Sequence, residues 1–206
     1  MRRVLLRTAA FAPFLAVALL FQATAFAEDI EVREAQLHAV EEGLALDADF
    51  AFDLTPRLAD VVANGVPLYF QVEFELTRPR WYWFEEKTAS KRLQLRLSYH
   101  ALSRQYRLST GLLQQSFPTL EEALNVLKRV RNWVVVDRSV GLSDSDYEAA
   151  VRMRLDTTLL PKPFQLSALT SRELHLESAW KRFTVPAPEH APAPVENREQ
   201  KAPQDR

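Results

Sequence analysis

Cysteine is absent from all 206 residues, and glycine occurs only four times. The first absence excludes disulfide staples, thiolate metal sites, redox pairs and a cysteine nucleophile. The second leaves few places for a phosphate-cradling loop, and neither a G-x-S-x-G elbow nor an H-E-x-x-H helix is present. Histidine is sparse and scattered at His38, His100, His175 and His190; His100 stands near Ser98 and Tyr99, but no acid accompanies them. A triad is therefore not expected. Nothing in the chain asks for a cofactor or a metal ion, and an enzyme is not expected.

A long apolar run is missing too. The longest, AAFAPFLAVALLF at residues 9 to 21, is interrupted by Pro13 and falls short of the roughly 20 residues of a spanning helix. It follows Arg2, Arg3 and Arg7 and precedes Ala-Phe-Ala at 25 to 27, the layout of a cleavable export signal over residues 1–27. Export to the periplasm is the expectation, with no membrane-spanning segment after cleavage. Once the three leader arginines are set aside, the rest of the chain holds 23 basic and 27 acidic residues, a formal charge of −4. Such a balance offers no footprint for nucleic acid or for anionic lipid.

Without disulfides, the fold must rest on its apolar core, and alternation supplies one. Leu44, Leu46, Ala48, Phe50, Phe52 and Leu54 alternate with Asp47, Asp49 and Asp53 among others, which predicts a half-buried strand. Ile30, Val32, Ala35, Leu37 and Ala39 alternate with one phase slip near Glu34, the mark of a bulge. Glu41-Glu42-Gly43 reads as the hairpin turn between them. Residues 68 to 77, 93 to 101, 106 to 108, 133 to 136 and 147 to 159 repeat the period of two, and Leu174, Leu176 and Trp180 suggest a last strand. Thr55-Pro56 opens a short helix with Leu58, Val61 and Val62 inward, closed by Asn64-Gly65. A longer helix is predicted from Thr119 to Arg131, capped by Thr119 and Glu122, with its basic end at Lys128, Arg129 and Arg131. Pro161 and Pro163 in LLPKPF predict a stiff extended crossing or docking strip. The expected architecture is α+β and mainly antiparallel β, a sandwich-like or curved sheet of about eight or nine strands with two helices. One domain, 28–185, precedes a proline-rich tail, 186–206, whose composition predicts disorder.

Several of these stretches resemble one family. PLYFQVEFEL running into RPRWYWFEEK, then SYHALSRQYRLSTG, then YEAAVRMRLDTTLLPKPFQLSAL are similar to domain-of-unknown-function family 4390, the proline-rich signal peptide proteins of proteobacteria. The resemblance implies a protein of the Gram-negative envelope, with an envelope or membrane protein as partner, a membrane sensor kinase among the candidates. It carries no catalytic residue.

The most distinctive stretch is RPRWYWFEEK. Arg78, Arg80, Trp81, Tyr82, Trp83 and Phe84 combine flat rings with charged rims, as a peptide- or sugar-binding surface needs. The plainer reading is a strand covered on both faces. Asp47, Asp49 and Asp53 are at least about 7 Å apart along an extended ladder, too far for one Ca²⁺, and read as a solvated or edge-protecting face. Ser143-Asp144-Ser145-Asp146 lacks the glycine and the final glutamate of a calcium loop and reads as a polar turn. The function expected is thus an exported, non-enzymatic interaction module. The alternative is a periplasmic glycan or lipid carrier with a cavity at Phe50, Phe70 and Phe74.

Overall fold

The computed structural model describes residues 30–78, 86–142, 146–170 and 172–185. Two antiparallel sheets face each other. The smaller has the order β1 (Glu31–Val40), β2 (Gly43–Ala51), β7 (Arg129–Asp137). The larger has the order β6 (Leu113–Phe117), β5 (Gln105–Thr110), β4 (Glu86–His100), β3 (Leu68–Arg78), β8 (Tyr147–Leu155), β9 (Lys181–Val185). Helix α1 (Pro56–Ala63) follows β2, α2 (Leu120–Leu127) follows β6, and α3 (Lys162–Thr170) follows β8.

The core lies between the sheets. The inward positions of β3, namely Leu68, Phe70, Val72, Phe74 and Leu76, are all fully buried, so the strand presents one continuous apolar face. Phe52 reaches across to Phe70 with ring centroids 5.5 Å apart. The side seams are held by long cations: Lys181 Nζ donates to the carbonyls of Val32 and Arg33, at 3.3 and 2.8 Å, and Lys91 meets Asp137 at 2.9 Å.

Local signals explain most elements. The register of β1 on β2 shifts between Val32 and Glu34, the bulge that the phase slip predicts. Gly43 has φ of 144°, and a Cβ there would sit 2.0 Å from the Val136 carbonyl oxygen; no other residue fits this turn. The Thr55 hydroxyl accepts from the Leu58 N–H, and Leu58, Val61 and Val62 are buried.

Four expectations need correction. The second helix stops at Leu127, not Arg131. Phe50 N–H donates to the Lys128 carbonyl, and the β-branched run from Val130 onward is drawn into pairing with β2. Val130 is buried in either phase, so the helical spacing could not tell helix from strand. The LLPKPF segment is not extended throughout: α3 begins at Lys162, with Pro163 in the first turn where a missing N–H is harmless. The Pro161 carbonyl accepts from Phe164 and Gln165. There are accordingly three α-helices among the described residues rather than two. Leu174 lies in a 3₁₀ turn, and Leu176 and Trp180 precede the last strand, which begins at Lys181.

Candidate functional site

Of the RPRWYWFEEK residues, Arg78 ends β3 and is half-buried; Arg80, Trp81, Tyr82, Trp83 and Phe84 lie outside the described residues, as do the leader, Ser143 to Ser145 and the tail with His190. The site the structure does describe is elsewhere on the same sheet, on its outer face.

Register places the polar positions of neighbouring strands side by side. Tyr69, Gln71 and Glu73 of β3 oppose Arg96, Gln94 and Arg92 of β4. On the other flank, Gln71 and Glu73 oppose Arg154 and Arg152 of β8. Arg107 of β5 joins them opposite Ser98, and Arg182 of β9 opposite Ala150. Glu73 is the centre: only 6% exposed, it receives Arg152 Nε and Nη2 at 2.6 Å each on Oε2. Arg154 Nη2 stands 3.2 Å from its Oε1, and Arg92 Nε stands 3.8 Å away. Arg154 also donates to Gln71 at 2.9 Å. Burial pushes the Glu73 carboxyl up, but the hydrogen bond and charge of Arg152, then those of Arg154, outweigh it and hold the group below its ordinary value. The carboxylate is ionised at neutral pH.

Two aromatic rings steady the cluster. Arg152 lies over Trp180 at 4.6 Å and Arg96 over Tyr69 at 5.8 Å. Lys87 is matched by Glu75 and Arg182 by Glu148. Among the described residues, Glu73 is thus the single carboxylate in ion-pair reach of Arg92, Arg152 and Arg154, none stands in reach of Arg96 or Arg107, and Glu177 meets Arg154 through a backbone bridge. Arg107 Nε is buried and meets no acceptor among the described residues.

The three-stranded sheet differs. Asp47 accepts the backbone N–H of Asn132, a residue at φ 51° in a break of the β2–β7 register. Arg131 donates to Asp49 at 2.6 Å and Lys128 to Asp53 at 3.3 Å. Asp47 and Asp49 are thus clasps between β2 and β7, while Asp53 stays on a solvated face. A cleft of about 940 Å³ opens beside them, floored by Phe50 and Phe52 and rimmed by Arg33, Asp53, Lys128 and Arg129. Its cations and acids are interleaved.

Among the described residues, His38 and His100 each hydrogen-bond a single polar side chain rather than a catalytic pair. His100 Nδ1 shares a hydrogen bond with the Ser103 hydroxyl inside a turn, and His38 Nε2 with Asn132 Oδ1. Among the described residues, no group of three or more His, Cys, Asp or Glu side chains is placed to hold a metal ion, and no helix is long and apolar enough to cross a membrane. Phe50, Phe70 and Phe74 belong to the packed core and line no open cavity in common.

Sequence reasoning missed the arginine cluster. Its trace was present: Glu73 sits on the polar face of β3, and Arg152 and Arg154 stand two apart in VRMRL. Only the strand order brings them together. The chain belongs to the family described as Domain of unknown function (DUF4390), whose model matches residues 27–184. No curated protein and no solved structure matches the chain.

Proposed function

We propose that this protein is an exported, non-enzymatic recognition module of the Gram-negative cell envelope, and that it meets its partner through the outer face of the six-stranded sheet. One observation carries the reading: a cluster of arginines gathered about a buried glutamate, with more guanidinium than carboxylate among the described residues. Arginine and tryptophan or tyrosine together are the residue types that dominate binding energy at protein interfaces, and here they are already stacked on one another. Glu73 fixes the guanidiniums before any partner arrives, which lowers the ordering cost of binding. The aromatic residues 81–84, outside the described residues, fall in sequence between β3 and β4, the strands that carry Glu73 and Arg92.

The test is site-specific photocrosslinking in living cells from position 94. Gln94 is exposed on β4 between Arg92 and Arg96, so a photoreactive residue there removes no guanidinium. A discrete adduct in the periplasmic fraction is the expected result; a protein retained in the cytoplasm, or no adduct from this face, would count against the proposal.

A further inference from the structure

The nature of the partner follows from how the arginines are spaced and what surrounds them. From Arg152 across β3 to Arg92 is two strand spacings, about 10 Å, and from Arg92 along β4 to Arg96 is four residues, about 13 Å. Arg107 lies a further step away on β5, so the cations mark a path roughly 30 Å long over a pleated surface. A path of that length across a sheet face suits a linear ligand better than a compact one. The cleft of about 940 Å³, where a small molecule would lodge, is on the other sheet.

The donors are directional. Arg152 spends Nε and Nη2 on Glu73, Arg154 spends Nε and Nη2 on Glu73 and Gln71, and Arg92 makes only the long 3.8 Å contact. Arg96 has Tyr69 but no carboxylate among the described residues. Planar forks with unspent N–H groups match carboxylates in pairs. An extended peptide sets every second side chain roughly 7 Å apart on one side, the same spacing that separates Arg152 from Arg154 along β8. Among the described residues, the surface also lacks what an acyl layer needs: the large exposed apolar side chains Leu102, Leu112, Leu113, Val126, Leu159 and Leu166 lie on turns, at a hairpin end or in helices, not among these arginines.

We infer that the outer face of the six-stranded sheet binds an extended, acidic segment of a partner protein, with Arg92, Arg96, Arg107, Arg152 and Arg154 receiving its carboxylates. The inference rests on the reading that this face is the recognition surface. The remainder of the chain is acidic on balance, so attraction is local to the face and weakens as salt screens it.

Fluorescence anisotropy of a labelled peptide of alternating glutamate and serine, about ten residues long to span the path, tests it on the purified protein. Binding is expected at low salt, falling steeply as salt is raised. Arg92→Gln with Arg96→Gln should weaken it about tenfold, as expected from two partly exposed charge contacts. Both side chains are exposed, and an unchanged melting curve confirms that the variant folds. Arg33→Gln with Arg129→Gln, on the other sheet, should leave affinity unchanged. Peptide binding indifferent to Arg92 and Arg96 overturns the inference. So does absence of peptide binding while phosphatidylglycerol vesicles bind through those same arginines, although the face then remains a recognition surface. If neither probe binds and position 94 yields no adduct in cells, the functional reading falls with it.

Discussion

On the three-stranded sheet, Asp47, Asp49 and Asp53 each have a backbone N–H or a cation of their own, whereas on the six-stranded sheet Arg92, Arg152 and Arg154 crowd a single glutamate. Both sheets present strongly charged faces, so a count of charges does not distinguish them. Pairing does. Asp47 and Asp49 are consumed in holding β7 against β2, and the exposed Asp53 has Lys128 beside it. The guanidiniums of the large sheet share too little carboxylate, and the surplus faces outward.

The comparison can be broken by substitution. Gly43→Ala should have the largest effect, a loss of about 3 kcal/mol or more in urea unfolding, because the new methyl meets the Val136 carbonyl at the β1–β2 turn. A near-neutral result would mean that the hairpin relaxes freely. Next comes Glu73→Ala, expected to cost about 2–3 kcal/mol. Removing a buried charge partner is expensive, but the arginines left behind are still partly hydrated. Glu73→Gln sharpens the point through pH. Since the folded-state carboxyl is held below its ordinary value of 4.5, its stabilisation is complete above that value and is lost as pH falls through the lower, folded-state one. The stability gap between wild type and Glu73→Gln should therefore close on acidification, and a constant gap would show that the carboxylate is not ionised by its arginines.

Smaller effects belong to the small sheet. Asp47→Ala leaves the Asn132 N–H without its acceptor and should cost about 1 kcal/mol, while Asp47→Asn, which keeps an oxygen there, should cost less. Asp53→Asn should be silent in unfolding experiments, because the Asp53 side chain is 98% exposed and its pair with Lys128 is screened by water. If Asp53→Asn proved as costly as Glu73→Ala, the distinction between the two sheets would disappear.

Much of the fold was legible where one face is buried and the other wet. The alternation over residues 68 to 77, the slip near Glu34 and the Thr55-Pro56 cap each reflect a local constraint, and each stands in the structure. Legibility failed where local pattern and tertiary pairing diverge. Residues Leu113–Phe117 form an edge strand exposed along most of its length, so they leave no apolar alternation to read. Val130 satisfies both a helical stripe and a strand, and pairing with β2 decided between them. Pro163 ends a ladder but can begin a helix. The arginine cluster was the least legible feature. Strand alternation gives each side chain a face but no neighbour across the sheet, and Glu73 meets Arg152 only because β8 returns beside β3.

The claim that surplus cation on the large sheet is the working surface is tested most directly by arginine side-chain NMR. The Nε–Hε resonances would be followed while the alternating glutamate–serine peptide is added. The account predicts that those of Arg92, Arg96, Arg107, Arg152 and Arg154 move together and that those of Arg33, Arg129 and Arg131 stay still. Movement of Arg129 and Arg131 with the sheet face silent would place recognition in the cleft of the small sheet and contradict it.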